Sequence, residues 1–85
     1  MSRLLPLNYD RTVKALGRIG YVFNHQRGSH IVMRLDNKEK YFSTFGERKP
    51  ENMIVVPAHR PIGRGMMRTI IREADLSVDE FNKLL

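Results

Sequence analysis

The sequence predicts a small α+β fold, with a small antiparallel three-stranded sheet carrying helices on one face and the other face open. Three observations predict it. Apolar residues recur at helical spacing near both ends of the chain, at 9–19 and at 64–74. Residues 30–36 alternate, with Ile31, Met33 and Leu35 on one side and His30, Val32 and Arg34 on the other. Between Tyr21–Gln26 and His30–Asp36 lies a glycine turn, Arg27-Gly28-Ser29, so the two runs read as a hairpin. Hairpin-linked strands between amphipathic helices make a two-layer sandwich.

The first helix is expected from Tyr9 to Ile19, with Asn8 as N-cap and Asp10 complementing the dipole. Tyr9, Val13 and Leu16 share a face, and Gly20 serves as the C′ glycine that ends the helix. In the hairpin, a turn at Arg27-Gly28 pairs Gln26 with Ser29 and His25 with His30, setting two imidazoles side by side. That register leaves Tyr21 and Phe23 on the His30 face, and a bulge or one-residue slip would move them. Lys40–Phe45 reads as either a fourth strand or an aromatic loop, and Met53–Pro57 as a short buried strand. A second helix from Arg64 or Gly65 to Ala74 buries Met67, Ile70, Ile71 and Ala74. A last one, Val78–Leu84, opens on the capping-box pair Ser77 and Glu80.

Eighty-five residues suffice for one domain, taken as residues 1–85, and 41% hydrophobic with 28% charged residues marks a globular chain. Without cysteine there is no disulfide framework and no thiolate metal site, which fits a reducing cytoplasm. Met1-Ser2-Arg3-Leu4-Leu5-Pro6 lacks the apolar run of a signal peptide, and no segment approaches the ~20 apolar residues of a membrane span, so no membrane partner is expected. The net charge is +6, with a surplus of four over residues 1–36 and three over residues 53–74, and a deficit of two over residues 75–85. A basic body favours a polyanion such as nucleic acid, though charge alone equally describes a soluble basic domain.

Gly28-Ser29-His30 is the sharpest chemical feature. Glycine lets a phosphate approach the backbone, and histidine exchanges protons near neutral pH. RNA is cleaved by its own 2′-hydroxyl once a base, an acid and cationic donors are in place, so His30 is the candidate general acid/base. His25 and His59 are candidates for substrate contact, as are Arg27, Gly28 and Ser29 around the turn. Arg64, Arg68 and Arg72 recur every four residues and form one helical stripe suited to RNA phosphates, or an ordinary solvated face. Tyr41, Phe42 and Phe45 are candidates for base stacking, with at least two of them expected in the core. The histidine spacing matches no metal-ligand pattern, so neither metal nor other cofactor is expected.

Gly20-Tyr21, His25-Gln26-Arg27-Gly28-Ser29-His30, Val55-Val56-Pro57-Ala58-His59 and Gly65-Met66-Met67-Arg68-Thr69-Ile70-Ile71 together resemble the HicA family of prokaryotic toxins, over about Val13 to Phe81. The resemblance implies a double-stranded-RNA-binding-domain-like α-β-β-β-α fold and an mRNA interferase whose catalytic residue is His30. It also implies a HicB-like antitoxin as partner. Two features depart from the family: His25 stands where arginine is common, and Asn37–Asn52 is longer than the usual hairpin. The competing readings are a non-catalytic RNA-binding domain of the same fold and a basic protein-interaction module.

Overall fold

The computed structural model describes residues 3–85. The elements are α1 (Tyr9–Gly17), β1 (Tyr21–Arg27), β2 (His30–Leu35), α2 (Lys38–Phe45), β3 (Met53–Pro57), α3 (Arg64–Glu73) and α4 (Val78–Asn82). The strands form one antiparallel sheet in the order β1-β2-β3. This is the expected α-β-β-β-α arrangement, extended by α2 and α4.

The alternation in β2 reads out as expected. Ile31, Met33 and Leu35 are buried with Ile54 and Val56 of β3, against Leu16, Met67 and Ile70 of the helices and Ile19 of the turn after α1. His30 is exposed, and Val32 and Arg34 are partly so, on the open face. In α3 the expected face holds, with Met67, Ile70 and Ile71 buried. In α1 the buried face is turned from the expected one. Thr12, Ala15 and Leu16 are buried, while Tyr9 and Val13 pack at its margin. Thr12 keeps its hydroxyl satisfied there by donating to Met67 Sδ at 3.6 Å.

Gly20 does not close α1 directly. The helix stops at Gly17, and Gly20 lies beyond a turn with φ +109°. Its carbonyl accepts from the N–H groups of Asp36 and Asn37, both at 3.0 Å, which joins the start of β1 to the end of β2.

Residues 38–45 are a helix, neither strand nor loop. Asn37 caps it by accepting from the Lys40 N–H at 3.0 Å, and Gly46 ends it at φ +77°. Tyr41 is buried beneath, where its hydroxyl donates to the Ala74 carbonyl at 2.6 Å. Burial pushes the Tyr41 phenol up to about 12, so it stays a neutral donor. Phe42 and Phe45 pack on the same core margin, so the three aromatics of this segment serve packing.

α4 carries the expected capping box, with Ser77 accepting from the Glu80 N–H and Glu80 from the Ser77 N–H. Arg48 clamps the same carboxylate, donating from Nη1 and Nη2 at 2.7 Å each. The guanidinium holds Glu80 down to about 2, against an ordinary 4.5. A carboxyl depressed on folding contributes stability that is complete above its unfolded value and fades as pH falls through its folded value. Glu80→Gln is therefore expected to lower the melting temperature near pH 7 by an amount equivalent to about 1 kcal/mol. The gap to the parent should close between pH 4.5 and 2. A pH series of thermal melts checks this, and a gap independent of pH contradicts it.

Candidate active site

The hairpin turn comprises Gly28 and Ser29, one residue later than expected. Gly28 takes φ +59°, the glycine-first arrangement of a type II′ turn, and Gln26 Nε2 donates to its carbonyl at 3.0 Å. This placement pairs Arg27 with His30. His25 pairs instead with Val32, so the expected side-by-side imidazoles are not formed. The register breaks between Phe23 and His25, where Asn24 is the extra residue of a bulge. The bulge restores Tyr21 to the core face opposite Leu35, where it is buried. His25 remains exposed on the open face, its Nδ1 2.6 Å from Asn24 Oδ1.

His30 is thus flanked by Arg27 on one side and by Pro57 on the other. Directly opposed residues share a face, with Cβ atoms about 5 Å apart. A guanidinium and an imidazole therefore stand together, both exposed, at the first rung of the hairpin. The Ser29 carbonyl accepts from the Ala58 N–H at 2.7 Å, which carries the ladder one step past β3. That bond brings the loop after β3 to the same end of the sheet. His59 is exposed on this loop. Its backbone is pinned, its N–H donating to Pro57 at 2.8 Å and its carbonyl accepting from Tyr9 at 3.1 Å. Arg60, next to it, lies over the Tyr9 ring at 4.7 Å and 3.5 Å from Asp10, so it is committed to holding the loop.

α3 runs alongside β3 in the opposite direction. The Glu51 N–H donates to the Glu73 carbonyl at 2.7 Å, so the end of α3 meets the start of β3. Between them lies a cavity of about 250 Å³. Met53, Val55 and Pro57 form its sheet wall and Met66, Thr69 and Glu73 its helix wall, with His30 at the rim. None of these wall residues was singled out from sequence as a site. The alternation of β3 assigns Met53 and Val55 to the open face, but the approach of α3 to that edge is tertiary.

Arg64, Arg68 and Arg72 are exposed on α3 as expected. At about 100° per residue they lie on the flank opposite Met66, Thr69 and Glu73, with the core stripe between. Arg68 and Arg72 border a separate hollow with Asp75, Leu76 and Ser77. The fold therefore groups His30 with Arg27, Gly28 and Ser29, brings the His59 loop to the same end, and leaves Arg68 and Arg72 elsewhere. Among the described residues, no three His, Cys, Asp or Glu side chains gather as a metal-binding group.

An α-β-β-β-α sandwich with an antiparallel three-stranded sheet is the architecture of the double-stranded-RNA-binding-domain-like proteins. Comparison with protein families narrows the class. The family model described as HicA toxin of bacterial toxin–antitoxin matches residues 9–76, and the chain belongs to that family. Searches of curated proteins and of solved structures each gave no match. Membership makes the chain an RNA-cleaving enzyme, an mRNA interferase, and its partner a HicB antitoxin. The match spans α1 to the end of α3 and includes α2, while α4 lies beyond it. No helix among the described residues is long and apolar enough to cross a membrane.

Proposed function

We propose that this toxin cleaves mRNA in the cytoplasm without a metal ion, with His30 as general acid/base and residues 1–85 as one HicA-like domain. The observation that carries this reading is the exposed His30–Arg27 pair at the first rung of the hairpin. In the step itself, His30 takes the proton of the 2′-hydroxyl as the 2′-oxygen bonds to phosphorus. The bond from phosphorus to the 5′-oxygen breaks, and the 5′-oxygen leaves as a hydroxyl on taking a proton from water. Arg27 faces the charge that builds on the phosphoryl oxygens. Gly28 supports close approach, because nothing lies within 4 Å of the position a Cβ would occupy. Ser29, His25 and His59 contact the strand around this centre, and Arg64, Arg68 and Arg72 track its phosphates farther out.

This chemistry leaves a 2′,3′-cyclic phosphate on one fragment and a 5′-hydroxyl on the other. The purified toxin, free of antitoxin, is expected to yield those ends at the same rate with and without EDTA. Ends bearing 5′-phosphate, or a rate lost to chelation, overturn the reading.

A further inference from the structure

The cavity beside His30 holds a carboxylate that the cleavage step does not use. Glu73 is half-buried in its wall, and among the described residues its side chain has no hydrogen-bond or ion-pair partner. In a chain of net charge +6 that binds a polyanion, such a group is conspicuous. It repels phosphate, so its role lies with a neutral part of the RNA. The other polar side chain of the helix wall, Thr69, donates its hydroxyl proton to the Gly65 carbonyl at 3.2 Å. Only its lone pairs remain for a ligand. Beyond His30, the polar side-chain atoms of the cavity therefore accept hydrogen bonds and do not donate them.

The walls are otherwise apolar. Met53, Val55 and Met66 are each about half exposed, at 43%, 44% and 45%. Each end of the slot offers a polarisable thioether, Met66 toward His30 and Met53 toward Glu73, and sulfur makes favourable contacts with aromatic rings. The slot is one nucleotide's work in length. From Pro57 to Met53 the strand advances about 13 Å, and from Met66 to Glu73 the helix advances about 10 Å. His30 stands at one end and Glu73 at the other.

We propose that this slot receives a nucleobase next to the cleaved bond and selects one bearing an exocyclic amino group, with Glu73 as the specificity-determining residue. This rests on His30 being the cleavage centre. Adenine, cytosine and guanine each present an amino group that a carboxylate accepts from. Uracil has no amino group, and its single ring donor, N3–H, sits between two carbonyl oxygens that a wall of acceptors repels. An arginine or lysine of the antitoxin would also meet Glu73, but the slot opens onto His30, where the RNA strand must pass.

The test uses RNA oligonucleotides that differ only at the nucleotides flanking the cleaved bond. The wild-type toxin is expected to cleave strands with adenine, cytosine or guanine in the slot position at least tenfold faster, in kcat/KM, than the uracil strand. Replacing adenine by purine, or guanine by hypoxanthine, removes only the amino group and is expected to cost about tenfold. Glu73→Gln, whose amide also donates, should bring uracil to within about twofold of the others. Strands carrying 2′-O-methyl groups cannot react, so their binding reads the same preference with chemistry silent. A toxin that cleaves and binds all four bases alike overturns the proposal, as does an unchanged preference in Glu73→Gln. Glu73→Gln that weakens only antitoxin binding assigns the carboxylate to the protein partner and also overturns it. If the wild type binds with the expected preference yet cleaves nothing, the cleavage reading fails and the base slot stands.

Discussion

His30→Ala is expected to lower the rate of RNA cleavage by about 10²–10⁴-fold, the usual contribution of a positioned acid or base. The fold should not change. His30 is exposed, and its place in the sheet rests on its backbone, which alanine keeps, so the melting temperature should stay within the small range of surface substitutions, about ±0.5 kcal/mol. Growth arrest on expression should vanish with the cleavage. Arg27 supplies an internal control, because it faces His30 across the hairpin. Arg27→Gln removes the charge beside the phosphate while leaving the imidazole, and should weaken binding and reduce the salt dependence by about one phosphate contact. A His30→Ala protein that folds and still cleaves at the parent rate would move the chemistry to another residue.

The largest structural effect is expected at Gly20. With φ +109°, a Cβ at this position would lie 2.4 Å from the Asn37 carbonyl oxygen and 3.3 Å from Leu35 Cδ1. The first contact is to backbone, which cannot swing aside as a side chain does. Strained φ and steric overlap each cost on the order of 1–3 kcal/mol. Gly20→Ala should therefore lose roughly 3 kcal/mol or more, equivalent to about 12–24 °C in a domain of this size. The Gly20 carbonyl also receives the Asp36 and Asn37 N–H groups, and Asn37 caps α2. The damage should spread to β2 and α2 together, and hydrogen exchange at Asp36, Asn37 and Lys40 would register it before global unfolding. A melting temperature within a few degrees of the parent would mean that the junction relaxes at little cost.

Much of this arrangement was legible in the residues. The alternation of β2 puts His30 on the face away from Ile31 and Met33, because side chains on a strand must point to opposite sides. The core stripe of α3 and the Ser77–Glu80 capping box are equally local, and both appear as expected. The helix at 38–45 departs from the strand or loop expected there, although the residues carry helix signals. Asn37 at the start and Gly46 at the end are ordinary helix boundaries. The run Lys40–Phe45 hid them, since its aromatics suit a strand as well as a helix. What decided between the two is the seat that the core offers Tyr41, with the Ala74 carbonyl waiting for its hydroxyl.

The neighbours of His30 show where local reading stops. Arg27-Gly28 and Gly28-Ser29 are both acceptable turns, and moving from one to the other replaces His25 by Arg27 opposite His30. Nothing within the hairpin separates the two strongly. The bulge at Asn24 lets Tyr21 reach the core while Arg27 keeps its place, and the Ala58 to Ser29 hydrogen bond ties the turn to the end of β3. Glu73 lies still farther from local inference, since it reaches the His30 cavity only because α3 packs beside β3. The sandwich and the open face on which His30 stands follow from strand and helix periodicity, which acts over a few residues, and the resemblance to the family follows from short motifs such as Gly28-Ser29-His30 and Pro57-Ala58-His59. That Arg27 is the cation beside His30, and that Glu73 shares its cavity, emerges from the folded chain as a whole. Those neighbours depend on strand register and on contacts between distant segments, where the energy comes from packing the whole core at once.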